Sequence, residues 1–115
     1  MSDCIFCKIA RGEIPCKKIY EDDDFLAFHD IHPQRPVHFL MIPKNHIATL
    51  YDAGPEHEAV LGRMLARAGS LAREQGLGDG FRTIINTGKV GGQEVYHLHL
   101  HILGGPLPVG PMVSR

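Results

Sequence analysis

At 115 residues with 43% apolar content, the chain is long enough for one core and too short for two, so a single domain over residues 1–115 is expected. Its charges nearly cancel, at net −1 with histidines neutral, which excludes the basic field that drives binding to nucleic-acid polymers. No run approaches the roughly 20 apolar residues of a membrane span and no signal-peptide layout opens the chain, so a cytoplasmic protein with no membrane partner is expected.

Three cysteines, with Cys4 and Cys7 close together, fit a reducing compartment better than a disulfide framework. In chain order, Asp3 is placed to cap a short helix carrying Ile5, Phe6 and Ile9, which Gly12 ends and which sets Cys4 and Cys7 one turn apart. Residues 18–21 and 25–29, joined by an acidic turn at 22–24, read as a hairpin. Two prolines, Pro33 and Pro36, make 31–36 a loop, and 37–42 is a third strand ended by Pro43. Pro55 suits the first turn of a long helix and Gly76 its end. Between them Val60, Met64, Ala68, Leu71 and Ala72 form an apolar stripe widened by Leu61 and Leu65, while Glu58, Arg63, Arg67, Arg73 and Glu74 make a solvated face. Residues 81–86 read as a fourth strand, 87–94 as a glycine-rich loop, 96–103 as a fifth strand and 104–111 as an irregular tail. The sum is an α+β domain, a five-stranded antiparallel sheet with one long and one short helix.

In the last strand, His97, His99 and His101 alternate with Leu98, Leu100 and Ile102. A period of two puts three imidazoles on one face and the aliphatic residues on the other. Such a face is open to three readings: a solvated polar surface, a metal site of the His-x-His kind, or phosphoryl or nucleotidyl transfer, in which one imidazole attacks phosphorus and a neighbour donates to a phosphate oxygen. The preceding loop favours the last, because Gly88, Gly91 and Gly92 let backbone N–H groups converge on an anion and Gln93 adds an amide donor.

The run from His97 to Leu103 resembles the signature of the histidine triad (HIT) family. Ile5-Phe6-Cys7-Lys8-Ile9, Phe28-His29-Asp30-Ile31, His38-Phe39-Leu40, Ile42-Pro43-Lys44 and Gly91-Gly92-Gln93 resemble its Hint branch, the purine nucleoside phosphoramidases. The resemblance implies a homodimer whose sheets join into ten strands, and hydrolysis of the P–N bond of AMP-amine and AMP-lysine adducts through a covalent nucleotidyl-histidine. It makes His99 the nucleophile, His101 the donor to phosphate, and His97 and His38 further active-site histidines. Asp30 would accept from both ribose hydroxyls, and Asn86, Gly92 and Gln93 would lie near ribose and phosphate. Ile5, Phe6, Ile9, Phe28 and Ile31 would enclose the base. Purine nucleoside monophosphates and their phosphoramidates are the implied ligands.

Cys4 and Cys7, with His46 and His97, look like the zinc ligands of a subset of the family, a Cys2His2 set suited to a structural ion; no catalytic cofactor is implied. One departure stands out: Glu94 follows Gln93 where eukaryotic members have a serine, and a carboxylate there would disfavour anionic leaving groups. Within enzymes the alternative is a dinucleoside polyphosphate hydrolase; outside them, a nucleotide-binding interaction module.

Overall fold

The computed structural model describes residues 4–111. Helix α1 spans Ile5–Ala10 and starts at Cys4; Asp3, the expected cap, lies outside the described residues. It ends as anticipated, because Gly12 takes a left-handed φ of 79° that a side chain would resist. The sheet is antiparallel and built from β1 (Lys18–Glu21), β2 (Phe25–His29), β3 (Val37–Pro43), β4 (Arg82–Ile84) and β5 (Leu100–Gly104), in the order β1-β2-β3-β5-β4. Helix α2 covers Glu58–Glu74 after a 3-10 turn at Pro55–His57. Among the described residues no helix is long and apolar enough to cross a membrane.

Alternation along β2, β3 and β5 divides the core in two. Phe25, Ala27, Phe39, Met41, Leu100 and Ile102 face α2 and pack against Met64, Ala68, Leu71 and Ala72. Leu26, Phe28, Leu40 and Ile42 point to the other side, where Phe6 of α1 closes over them. Each large apolar side chain buried this way contributes about 1.5–3 kcal/mol. The second layer is thin, and the part of the sheet that α1 leaves uncovered is where the histidines lie.

Four expectations change. The fifth strand begins at Leu100, so His97 and His99 precede the ladder. The register that pairs Leu40 with His101 and Met41 with Leu100 would bring Pro43 opposite Leu98, and proline has no N–H to continue the ladder. The Leu98 N–H turns instead to the Ile47 carbonyl at 2.6 Å. The fourth strand is shorter than 81–86, since β4 has only three paired residues. Leu65 does not widen the buried stripe but is 55% exposed. Finally, the α2 charges are not merely solvated: Arg63 bonds Asp22 and Asp24 in the β1–β2 turn, and the Arg67 guanidinium lies 4.3 Å from the Tyr20 ring centroid.

Candidate active site

A cavity of about 630 Å³ opens between α1, the uncovered sheet face and the glycine-rich loop. It is lined by most of the residues singled out in the sequence: Ile5, Phe6, Ile9, Phe28 and Ile31 on its apolar side, and Asp30, His38, Asn86, Gly92, Glu94, His99 and His101 on its polar side. Leu40 and Gln34 also line it. Leu40 was legible from the period of two, which puts it on the His38 face of β3; nothing in the sequence marks Cys16, which also lines the cavity.

The protonation pattern follows from hydrogen-bond partners. The His99 Nδ1–H donates to the His97 carbonyl at 2.7 Å, leaving Nε2 with its lone pair. The Gln34 backbone N–H donates to His38 Nδ1 at 3.0 Å, so His38 carries its proton on Nε2 and donates it to His101 Nδ1 at 2.9 Å. His101 is thereby left with its proton on Nε2. A peptide N–H therefore fixes the tautomers of two rings in series, and the second becomes a donor. The Asp30 carboxylate is held by the His32 N–H at 2.8 Å, with its other oxygen 3.4 Å from His38 Nε2.

Burial keeps these rings neutral. Desolvation, reinforced by His99 and His38, lowers the His101 pKa to about 4, against a pull upward from Asp30. Desolvation also lowers His99 and His38, opposed in each case by Asp30 and, for His99, by its bond to the His97 carbonyl. The Phe6 ring stands edge-on to His99 at 5.0 Å between centroids and to His97 at 5.9 Å, so one aromatic residue of α1 supports both.

His97 does not line the cavity. It is fully buried, and its Nε2–H donates to the Pro43 carbonyl at 2.7 Å, so a bare Nδ1 faces Cys4 Sγ at 3.4 Å and Cys7 Sγ at 3.5 Å. His46 Nδ1 lies 3.2 Å from Cys7 Sγ. These four ligand atoms all fall within 4.8 Å of one another. A tetrahedral ion held by two sulfurs and two nitrogens has ligand–ligand edges of about 3.3–3.8 Å, so the donor set fits one closely, and a carbonyl on the far nitrogen is the usual support for a ligating histidine. Asp30, His38 and His101 are equally close to one another. There the rings meet nitrogen to nitrogen, 2.9 Å apart with centroids at 5.2 Å, which is a hydrogen bond rather than lone pairs converging on an ion.

Gln93 differs from expectation. Both hydrogens of its amide are used, toward the Ala48 carbonyl at 2.7 Å and the Val95 carbonyl at 3.0 Å, while its Oε1 accepts from the Gly88 N–H. It braces the loop from inside and does not reach the cavity. The Gly88 and Gly92 N–H groups likewise stay within the loop, so they do not form the anticipated anion cradle. The turn is tight enough that a Cβ on Gly91 would sit 2.4 Å from the Thr87 carbonyl oxygen.

The family model described as "Scavenger mRNA decapping enzyme C-term binding" matches residues 3–112. The chain is 50% identical over 114 residues to the purine nucleoside phosphoramidase of Escherichia coli (strain K12), covering 98% of this chain and 95% of that protein. It is 53% identical over 107 residues to protein HitA of Neisseria gonorrhoeae, covering 93% and 100%. Among solved structures, a HIT family hydrolase from Legionella pneumophila Philadelphia 1 superposes with a TM-score of 0.87 at 51% identity, covering 91% of this chain and 95% of that one.

Proposed function

The chain belongs to the histidine triad family of hydrolases and is of its Hint type, and from that premise we propose that it hydrolyses the P–N bond of purine nucleoside 5′-phosphoramidates through a covalent nucleotidyl-His99. The observation that carries the proposal is the bond from His99 Nδ1–H to the His97 carbonyl, which leaves a neutral Nε2 lone pair on a ring lining the cavity. In the first step that lone pair forms a bond to phosphorus while the P–N bond of the substrate breaks. The departing nitrogen keeps the electron pair and takes a proton from solvent. In the second step water attacks phosphorus and gives up a proton to solvent, the P–N bond to His99 breaks with its electron pair returning to Nε2, and the nucleoside monophosphate is released.

His101 Nε2–H donates to a phosphate oxygen, where charge builds in both transition states; a donor of this kind contributes about 3–4 kcal/mol. Asp30 accepts from the ribose hydroxyls, and Ile5, Phe6, Ile9, Phe28 and Ile31 enclose the base. Cys4, Cys7, His46 and His97 hold a structural zinc that pins α1 to the segment carrying His99, and no step of the reaction passes through it. The protein works in the cytoplasm as a homodimer whose two sheets join. Turnover of a fluorogenic adenosine phosphoramidate by the parent but not by His99→Gly tests the reading, and equal rates for the two proteins would sink it.

A further inference from the structure

Helix α1 is short, and its hold on the rest of the chain is narrow. Its backbone hydrogen bonds are local: the Lys8 N–H donates to the Cys4 carbonyl, the Arg11 N–H to the Cys7 carbonyl and the Glu13 N–H to the Lys8 carbonyl. Arg11 pairs with Glu13, two residues on. Among the described residues, the polar contacts that leave α1 and its closing turn run from Cys4 to His97 and from Cys7 to His46 and His97. The main apolar anchor is Phe6, whose ring meets Phe28 at 5.8 Å and packs with Leu26, Leu40 and Ile42. The same helix lends Ile5, Phe6 and Ile9 to the cavity wall, so whatever holds α1 in place also holds the apolar side of the site.

The four donors of the Cys4, Cys7, His46 and His97 set are unequally shielded. Cys7 and His97 are buried, while Cys4 is half-buried and His46 is exposed, so an oxidant in solution reaches Cys4 first. The two sulfurs lie within 4.8 Å of each other; in a disulfide they would be about 2.05 Å apart. Cys4 is the N-cap residue of α1 and Cys7 is in its first turn. Their Cα atoms therefore stand about 5 Å apart, inside the span of about 4.4–6.8 Å that a disulfide bridges. Rotation of the two side chains suffices to close the gap, and no backbone hydrogen bond of α1 has to break. While the thiolates serve a metal, they join α1 to residues 46 and 97, far along the chain. Joined to each other, they tie α1 only to itself.

We propose that Cys4 and Cys7 are a reversible redox pair, oxidised by hydroperoxides to a disulfide that expels the metal and lets α1 lift from the nucleotide cavity. The metal follows from the zinc reading, on which the inference rests for that part alone. The Cys4 thiolate attacks a peroxide oxygen, the O–O bond breaks, and Cys4 becomes a sulfenic acid. The Cys7 thiolate then attacks the Cys4 sulfur, and the S–O bond breaks. The two sulfurs together lose two electrons. With hydrogen peroxide both oxygens end as water, two protons are taken up, and zinc departs as the dication. A dithiol reductant returns the two electrons and restores the ligands. A disulfide made and unmade in this way suits a reducing compartment, where lasting ones are rare.

Protein purified in reductant, freed of it and titrated with hydrogen peroxide provides the test. Trypsin releases residues 1–8 as one peptide bearing both cysteines, so its mass reports the disulfide as a loss of two hydrogens. One zinc per disulfide should appear on a chromogenic chelator. Cleavage after Lys8 in the folded protein should quicken about tenfold or more, and AMP affinity by calorimetry should fall about as much, as for a site whose wall is in place in a tenth of molecules or fewer. Dithiothreitol with added zinc should reverse all of these. Cys16 also lines the cavity, so the titration is repeated in Cys16→Ala, where the same fold changes are expected. Changes that vanish in that variant overturn the proposal. So do a Cys4–Cys7 pair that stays reduced while Cys16 is oxidised, sulfinic acid in place of the disulfide, or a disulfide that leaves the Lys8 cleavage rate unchanged. Protein that contains zinc but resists peroxide refutes the switch and leaves the zinc reading intact. A disulfide that speeds cleavage in protein purified without any metal refutes the zinc reading and upholds the redox pair. Since cleavage after Lys8 needs no nucleotide, a parent that fails to bind AMP counts against the proposed function and not against the switch.

Discussion

Replacing His38 by alanine tests the chain of tautomers directly. His38 donates to His101 Nδ1 at 2.9 Å and is itself fixed by the Gln34 N–H at 3.0 Å. Without His38, His101 is free to carry its proton on either nitrogen, and only the Nε2 form donates to phosphate. The bond lost is neutral and contributes about 0.5–1.5 kcal/mol, so kcat should fall about 2- to 10-fold. His101→Ala removes the donor itself and should cost about 10²- to 10³-fold. Because His38 acts through His101, the double variant should be no slower than His101→Ala alone. Single-turnover rates on an adenosine phosphoramidate give all three numbers. A double variant slowed by the full product of the two single effects would show that His38 touches the substrate independently, and the chain of tautomers would be wrong.

Protein purified without added metal should carry about one zinc per chain, and a chelator or the pair Cys4→Ser/Cys7→Ser should lower Tm by about 10 °C or more, as expected for loss of a ligand contributing about 4 kcal/mol. The same treatment should weaken AMP binding in calorimetry, since Cys4 and Cys7 flank Phe6; an unchanged melt with no bound metal would remove the site. His101 titrates at about 4 when folded and near 6.5 when unfolded, so between those values the unfolded chain binds more protons. Its contribution to stability is complete above about pH 6.5 and is lost as pH falls toward 4. Urea midpoints at neutral and mildly acidic pH should therefore differ less in His101→Asn than in the parent, and identical differences would contradict the burial argument. Gly91→Ala should open the loop at a cost of about 1–3 kcal/mol and reduce kcat/KM; an unaffected variant would show that the loop yields freely around Thr87.

Much of this architecture is readable from spacing because β2, β3 and β5 are buried on one or both faces, and burial imposes the alternation that marks them. The apolar and histidine faces of residues 97–102 follow from the same rule, and they persist even where the ladder does not. The break before Leu100 was hidden, since it depends on Pro43 falling opposite Leu98 in a register that only the folded sheet fixes. The His38–His101 bond was hidden for a related reason: the two lie 63 residues apart and meet because β5 inserts between β3 and β4. Gln93 misled because an amide beside glycines is compatible with an anion site and with an internal brace alike. Its buried environment decides between them, and sequence does not report it.

The claim on which the rest depends is that His99 Nε2 becomes bonded to phosphorus. Rapid quenching of the parent with an adenosine phosphoramidate, followed by peptide mass spectrometry under alkaline conditions, measures this directly. The account predicts one nucleoside monophosphate on the peptide containing His99, formed at or faster than kcat and absent in His99→Gly. Turnover with no adduct at any quench time, or an adduct on His97 or His101 instead, would contradict it.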